Sequence, residues 1–149
     1  MKLFEFSCAG LRYALRLDSV ERVEAAAAIT PLPGAPPIIA GIINLHGEIV
    51  PVIDFRRRIG VDPTPLLPSH RFLITRTARR RLCLIVDETP GLLAEDALSS
   101  LQLTDLPKAP LVEGMLALAD GLAVICDLDA FLSLDEQSTL DSALAGGTA

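Results

Sequence analysis

The sequence predicts a mainly β protein, and three observations support that fold class. Short apolar runs rich in β-branched residues alternate with turn residues along most of the chain, which is typical of about ten short strands. Residues 42–45 and 49–53 flank His46-Gly47-Glu48 and form a β-hairpin pattern, because glycine accepts the positive φ of a tight turn. The same pattern returns near the C-terminus, at residues 114–127.

The repeat joins two hairpins through matching residues at both ends. Gly41 opens the first hairpin and Asp54 closes it, and Gly114 and Asp127 stand at the same spacing in the second. The resemblance indicates two like halves, with chance similarity between two apolar hairpins as the alternative. Two carboxylates can serve as acid and base, but their equivalent positions favour a structural role. We expect each to cap the short helix or turn that follows it.

The remaining elements follow from local pattern and turn chemistry. Alternating apolar residues predict a half-buried strand over residues 11–17, and the prolines of residues 31–37 predict a stiff connector. The other predictions are strands at 3–6, 20–23, 70–75, 82–86 and 92–94, a short helix or turn at 56–58, a loop at 62–69, a turn at 87–91, and a short helix at 127–134 that 136–144 either extends or follows as a second helix.

Composition narrows the class of protein. A chain of 149 residues fits one domain or two small lobes that share a core. The residues are 50% hydrophobic with a mean hydropathy of +0.44, which indicates either an apolar partner surface or an alanine-rich bias. The net charge of −6 disfavours nucleic acid and anionic membranes, and no apolar stretch is long enough to span a bilayer. Three dispersed cysteines predict buried thiols in a cytoplasmic protein.

No residue pattern predicts catalysis, a metal site or a cofactor. His46 and His70 are the only histidines, and neither belongs to a metal-ligand or nucleophile motif. The arginines of residues 76–81, with Arg71 and residues 56–58, are either a receptor for anions or a solvated loop, and no aromatic residues are interleaved for stacking bases. The sequence therefore points to protein-binding surfaces.

These residues resemble the CheW family of chemotaxis coupling proteins. The resemblance covers roughly residues 3–132, and its most specific part is residues 41–54. The matching segments are Phe4-Glu5-Phe6, Tyr13-Ala14-Leu15, residues 20–23, Ile29-Thr30-Pro31-Leu32-Pro33, residues 41–45, residues 47–54, residues 84–88, Glu113-Gly114, and Ile125-Cys126-Asp127-Leu128.

The resemblance implies a fold of two intertwined five-stranded SH3-like β-barrels with short helices, including one near the C-terminus. We expect residues 1–134 to form one CheW-like domain, with a first lobe of roughly 15–65, a second of roughly 70–128 and shared N-terminal strands. Residues 135–149 would form a C-terminal helix or tail.

The resemblance also implies a non-catalytic adaptor in a two-component signalling array. Its partners would be the regulatory domain of a CheA-type histidine kinase and the cytoplasmic tips of methyl-accepting chemoreceptors, with neither nucleic acid nor membrane insertion. It would be a cytoplasmic protein recruited to receptor arrays. The alternative is a divergent CheW-like binding module that serves a pilus, biofilm or polar-localisation system. A small-molecule enzyme ranks last.

By similarity to the family, the kinase-facing surface includes Val20, Arg22, Val23 and Gly41. For the receptor groove between the barrels we predict Ile85 and Val86. The chain departs from the family pattern at two positions, since Arg22 replaces a glutamate and His46 replaces an arginine with which that glutamate is thought to pair. We expect a specialised adaptor, with Glu21 or Glu48 as substitute partners.

Overall fold

The computed structural model describes residues 2–93, 101–102 and 111–146. Among these residues strands are the commonest element, as the sequence predicts, and two α-helices accompany them. The strands are β1 (Leu3–Cys8), β2 (Leu11–Arg16), β3 (Val20–Ala25), β4 (Ile39–Leu45), β5 (Glu48–Asp54), β6 (Arg71–Arg76), β7 (Arg81–Val86), β8 (Glu88–Leu92), β9 (Leu101–Gln102), β10 (Val112–Leu118) and β11 (Gly121–Cys126), and the helices are α1 (Phe55–Arg58) and α2 (Leu134–Gly146).

Two sheets with equivalent strand orders form the fold. One sheet has the order β3-β6-β7-β5-β4, and the other has the order β8-β1-β2-β11-β10 with the two-residue β9 added at its edge. In each sheet one hairpin joins another through a parallel pair, β5 with β7 and β11 with β2. Because the second sheet takes its strands from both ends of the chain, the two sheets are intertwined. The predicted fold class is confirmed.

The predicted repeat is present in the register of the two hairpins. The pairing of β4 with β5 is irregular between Ile39 and Gly41, and that of β10 with β11 is irregular between Val112 and Gly114. Bulges of this kind bend a strand and increase its twist. The matching glycines therefore mark the same bend in both sheets.

The two aspartates that end the hairpins both act as N-caps. Asp54 accepts a hydrogen bond from the Arg56 N–H at 3.1 Å, and Asp127 accepts one from the Asp129 N–H at 3.1 Å. Asp54 starts α1, and Asp127 starts a 3-10 turn at residues 128–130. A carboxylate at this position satisfies a backbone N–H that the helix leaves free. The sequence-based expectation of capping is confirmed.

A central apolar core holds the two sheets together. Phe55, at the start of α1, packs edge-on against Phe6 and Tyr13 of the other sheet, with ring centroids 5.2 and 4.9 Å apart. Phe131 completes this aromatic cluster at 5.7 Å from Phe55. Edge-to-face rings contribute beyond their buried area. Each sheet also has a smaller apolar cluster of its own.

The C-terminal helix α2 is a separate element with its own start signal. Ser133 Oγ accepts from the Glu136 N–H at 3.1 Å, while Glu136 Oε1 accepts from the Ser133 N–H at 2.8 Å. This reciprocal arrangement is a capping box. Leu140 is fully buried in the central core. Of the predicted C-terminal helix or tail at 135–149, the helix extends to Gly146, and residues 147–149 lie outside the described residues.

Sheet membership differs from the predicted lobes in one respect. The predicted second lobe begins near residue 70, yet β6 and β7 belong to the sheet that contains β3, β4 and β5. The reason is the parallel pairing of β5 with β7, which a hairpin-based interpretation does not anticipate. Residues 88–91, predicted as a turn, belong to the edge strand β8, where Pro90 is tolerated because an edge strand has free N–H positions.

Candidate protein-docking surface

The strand β3 lies at the edge of the five-stranded sheet and carries three of the predicted kinase-facing residues. Arg22 and Val23 are exposed, and Val20 is half-buried against the central core. Val23 exposes 37% of its surface, although it is apolar. An edge strand also has backbone N–H and C=O groups that are free to pair with another chain. The structure therefore brings Val20, Arg22 and Val23 together on one strand.

Gly41, the fourth predicted kinase-facing residue, is buried rather than displayed. A Cβ atom at this position would lie 2.3 Å from the Thr30 carbonyl oxygen, and the backbone φ is +152°. The absence of a side chain lets the chain at Thr30 form a two-bond bridge with Ile42, with N···O distances of 2.8 and 2.9 Å. Gly41 therefore supports the surface through its backbone and offers no side chain to a partner.

A groove of about 510 Å³ separates the edge strands β3 and β4. Its walls are mostly apolar, and its polar residues include Glu24 and His46. His46 occupies the β4–β5 turn with a φ of +50°, followed by Gly47 at +90°. Two consecutive positive φ values define the hairpin turn that suits the twist of the strands. His46 is exposed in this turn.

The charges around β3 are paired differently from the sequence-based expectation. Arg22 Nε lies 3.3 Å from a Glu24 carboxylate oxygen, so its neighbour is on its own strand. Glu21 and Glu48, the expected substitute partners for His46 and Arg22, both contact Arg81 of β7 instead. The pKa of the Arg81 guanidinium is raised, first by its hydrogen bond to Glu21. Cross-strand distances of this kind cannot be read from sequence, which placed Arg81 only in the arginine run of residues 76–81.

The two residues predicted for the receptor groove are separated by the alternation of β7. Val86 is fully buried in the central core, so its side chain is unavailable to a partner. Ile85 points the other way, as neighbouring residues of a strand do, and lines a pocket of about 240 Å³. The prediction of a contact role for Val86 fails for this reason, whereas Ile85 remains a candidate.

A polar cluster borders the Ile85 pocket. The Asp87 carboxylate accepts two bonds from Arg56 at 2.8 and 3.0 Å and one from the Ala9 N–H at 2.9 Å. His70, which is buried, places Nε2 at 3.5 Å from Asp87 and accepts a bond from the Leu67 N–H through Nδ1. Ala9 belongs to the turn between β1 and β2, so Asp87 links the two sheets. These contacts explain the polar cluster as a link between the two sheets.

Most arginines of these runs pair with acidic residues of the same chain. These pairs neutralise much of the local positive charge, which weakens the interpretation of the runs as an anion receptor. The pairs are Arg56 with Asp87, Arg57 with Asp54, Arg58 with Glu136, Arg80 with Asp141, and Arg81 with Glu21 and Glu48.

The three cysteines are buried free thiols, as predicted. Burial raises the pKa of Cys8 and of Cys126 to about 12, and it raises the pKa of Cys83 as well. A thiol with a raised pKa is a poor nucleophile and a poor metal ligand at neutral pH. Within the described ranges, no group of three or more potential metal-binding side chains occurs, and no helix is long and apolar enough to cross a membrane.

The comparisons with known proteins agree on one family. A family model described as the CheW-like domain matches residues 2–136. The chain is 22% identical over 139 residues to the chemotaxis protein CheW of Rhizobium meliloti, covering 91% of this chain and 90% of that protein. It is 33% identical over 87 residues to the chemotaxis protein CheW of Bacillus subtilis, covering 58% and 56%. The crystal structure of the scaffolding protein TtCheW from Thermoanaerobacter tengcongensis superposes with a TM-score of 0.80 at 28% identity, covering 91% of this chain and 94% of that chain.

Proposed function

We propose that this chain, which belongs to the CheW-like domain family, is a non-catalytic adaptor that couples chemoreceptors to a CheA-type histidine kinase. One observation carries the proposal: relatives named chemotaxis protein CheW match along nearly the whole chain. Its place of action is the cytoplasmic face of a receptor array. An adaptor of this kind works by presenting surfaces to two partners, and the chain offers two separate candidates.

The kinase-facing surface is strand β3 with its flanking groove. Val23 supplies the exposed apolar contact, Arg22 supplies charge at its edge, and Val20 anchors the strand to the core. Gly41 keeps the facing segment close through the Thr30–Ile42 bridge. A small apolar centre with a charged border is the usual composition of a protein–protein hot spot.

The receptor-facing surface is the region around Ile85. This residue lines a pocket beside the junction of the two sheets, where Asp87 ties the β1–β2 turn to Arg56. A helix of a receptor tip would place apolar residues against Ile85. The fully buried Val86 supports the strand from behind and makes no direct contact in this proposal.

The test is calorimetric titration of the protein with the regulatory domain of a histidine kinase from the same genome. We expect micromolar affinity for the wild type and a loss of at least about tenfold for Val23→Asp. Val23 suits the test better than Val20, because Val20 packs against the core and its replacement could unfold the protein. The matched control is Leu122→Asp, which changes an exposed leucine of β11 in the other sheet.

Wild-type affinity for Leu122→Asp together with loss for Val23→Asp supports a kinase surface on β3. Equal losses for both variants, in proteins that retain their thermal unfolding midpoint, contradict the assignment of that surface. A folded wild type that binds no such kinase contradicts the adaptor function itself.

A second candidate is a divergent CheW-like module for a pilus, biofilm or polar-localisation system. It is favoured by the departures at Arg22 and His46, where the charges of the family's usual pair are both replaced. The double variant Arg22→Glu with His46→Arg restores that pair. A specialised adaptor should gain or lose affinity for at least one candidate kinase on this change. Unaltered affinity for every candidate kinase contradicts the specialisation.

A further inference from the structure

The edge strand β3 contains a β-bulge within the proposed docking surface. Val20 pairs with Thr75 and Arg22 pairs with Ile74, so Glu21 is an extra residue with no partner on β6. A regular strand turns successive side chains to opposite faces. Pairing is regular again from Arg22 onward, so Arg22 and Val23 directly follow the bulge on opposite faces of the edge strand, and both are exposed. The bulge thus sets the direction in which these two side chains point.

The side chain of the bulged residue is bound by an arginine two strands away. Arg81 Nε lies 2.9 and 3.0 Å from the two carboxylate oxygens of Glu21. The same guanidinium donates through Nη1 to Glu48 of β5. Arg81 belongs to β7, and β6 lies between β7 and β3. One side chain therefore connects the edge strand to β5 across the sheet.

This geometry can order the bulge even though its residues are partly exposed. An isolated exposed ion pair contributes little to global stability, since water screens it and two long side chains lose freedom. Here two carboxylates bind the planar guanidinium of Arg81 from two sides. Because the first contact already restricts the arginine side chain, the second contact costs less conformational entropy. The bulge itself has an interrupted ladder of backbone bonds. A local effect on β3 is therefore larger than any effect on the whole fold.

We propose that Arg81, Glu21 and Glu48 form a clamp that holds the bulge of β3 and so positions Arg22 and Val23 for the partner. Arg81 is a positioning residue, since it acts through Glu21 and lies away from Val23. The proposal rests on the proposed function for its docking part, and the ordering of β3 is independent of any partner.

The first experiment is amide hydrogen exchange of residues 20–25 in the full chain, comparing the wild type with Arg81→Gln. We expect exchange in β3 to become roughly tenfold faster in the variant, because the bulge then opens locally. About 1 M salt should accelerate exchange in the wild type and have little further effect on the variant, since the Debye length falls to about 3 Å. The matched control is Arg76→Gln, since Arg76 lies 4.0 Å from Glu21 and is more exposed than Arg81.

The second experiment measures affinity for the kinase regulatory domain. We expect Arg81→Gln to weaken binding roughly fivefold to tenfold with little change in the thermal unfolding midpoint. The charge-reversed pair Glu21→Arg with Arg81→Glu should recover part of the affinity, whereas either single reversal should not. Loss of a packing contact alone would not be rescued by charge reversal.

The two readouts separate the possible failures. Exchange of β3 at the wild-type rate in Arg81→Gln overturns the clamp. Faster exchange with unchanged affinity overturns its positioning role. If the wild type binds no kinase, the proposed function and the docking part of the clamp proposal both fail, and the exchange data still decide whether the clamp orders β3.

Discussion

The hairpins β6–β7 and β1–β2 occupy equivalent places in the two sheets, yet their ends carry different side chains. Arg76 pairs with Arg81 at the end of β6–β7, whereas Cys8 pairs with Leu11 at the end of β1–β2. Leu11 is 56% exposed, and Leu122 on the neighbouring strand β11 is 61% exposed. The first of these ends thus carries paired charges without exposed leucines, whereas the second displays two exposed leucines beside the Arg12–Asp120 ion pair. Strand order determines the positions of these residues, but it does not determine the chemistry of their side chains.

The largest expected effect is at Gly41, the bulge glycine of the first sheet. Gly41→Ala places a methyl group against the Thr30 carbonyl oxygen, in a backbone conformation with φ of +152°. We expect a loss of about 3 kcal/mol or more in the free energy of unfolding, measured by urea denaturation.

Gly47→Ala is the control for this change, because Gly47 also has a positive φ but has open space around it. That variant should cost only about 1 kcal/mol, from backbone strain alone. Equal losses for the two glycines would show that the contact with Thr30 has no energetic role.

The two capping aspartates provide an intermediate comparison. Asp54→Ala and Asp127→Ala should each lower the free energy of unfolding by about 1 kcal/mol, because each removes one cap. The loss should be greater for Asp54, whose carboxylate also lies 3.3 Å from Arg57 Nε. Thermal unfolding of both variants and of Asp54→Asn, which keeps an acceptor without the charge, checks this order. A smaller loss at Asp54 than at Asp127 contradicts it.

The smallest expected effect is a pH dependence at helix α2. Partial burial raises the pKa of Glu136, but the Ser133 N–H and Arg58 outweigh it, so the pKa lies below its ordinary value of 4.5. A group with a lowered pKa stabilises the folded state above its unfolded pKa and loses that contribution as pH falls through the folded value. We expect helix α2 to loosen below about pH 4.5, and Glu136→Gln to remove this pH dependence. Amide exchange of residues 134–146 against pH is the measurement.

Much of the fold follows from local sequence because its signals are local. The hairpin around His46-Gly47, the strand through Tyr13 and the caps at Asp54 and Asp127 each depend on a few adjacent residues. The helix α2 also had such a signal, the serine and glutamate of its capping box at Ser133 and Glu136, which the sequence analysis did not use.

The features that sequence did not predict depend on distant residues. The parallel pairing of β5 with β7 decides which sheet contains residues 71–86, and no short pattern specifies it. Burial separates Ile85 from Val86 only once the core is assembled. The contact of Arg81 with Glu21 and Glu48 joins three strands, and its distances exist only in the folded chain.

The pairing of β2 with β11 has a consequence for how the protein is made. Tyr13 lies beside Val124, so the second sheet needs nearly the whole chain before its central pair can close. The strands of the first sheet, by contrast, all lie between residues 20 and 86, so that sheet can be complete before β10 and β11 are made. During synthesis β1 and β2 must wait with an unpaired edge, which is the state in which β-proteins associate wrongly. Translation speed over the last third of the chain therefore sets how long this edge stays open.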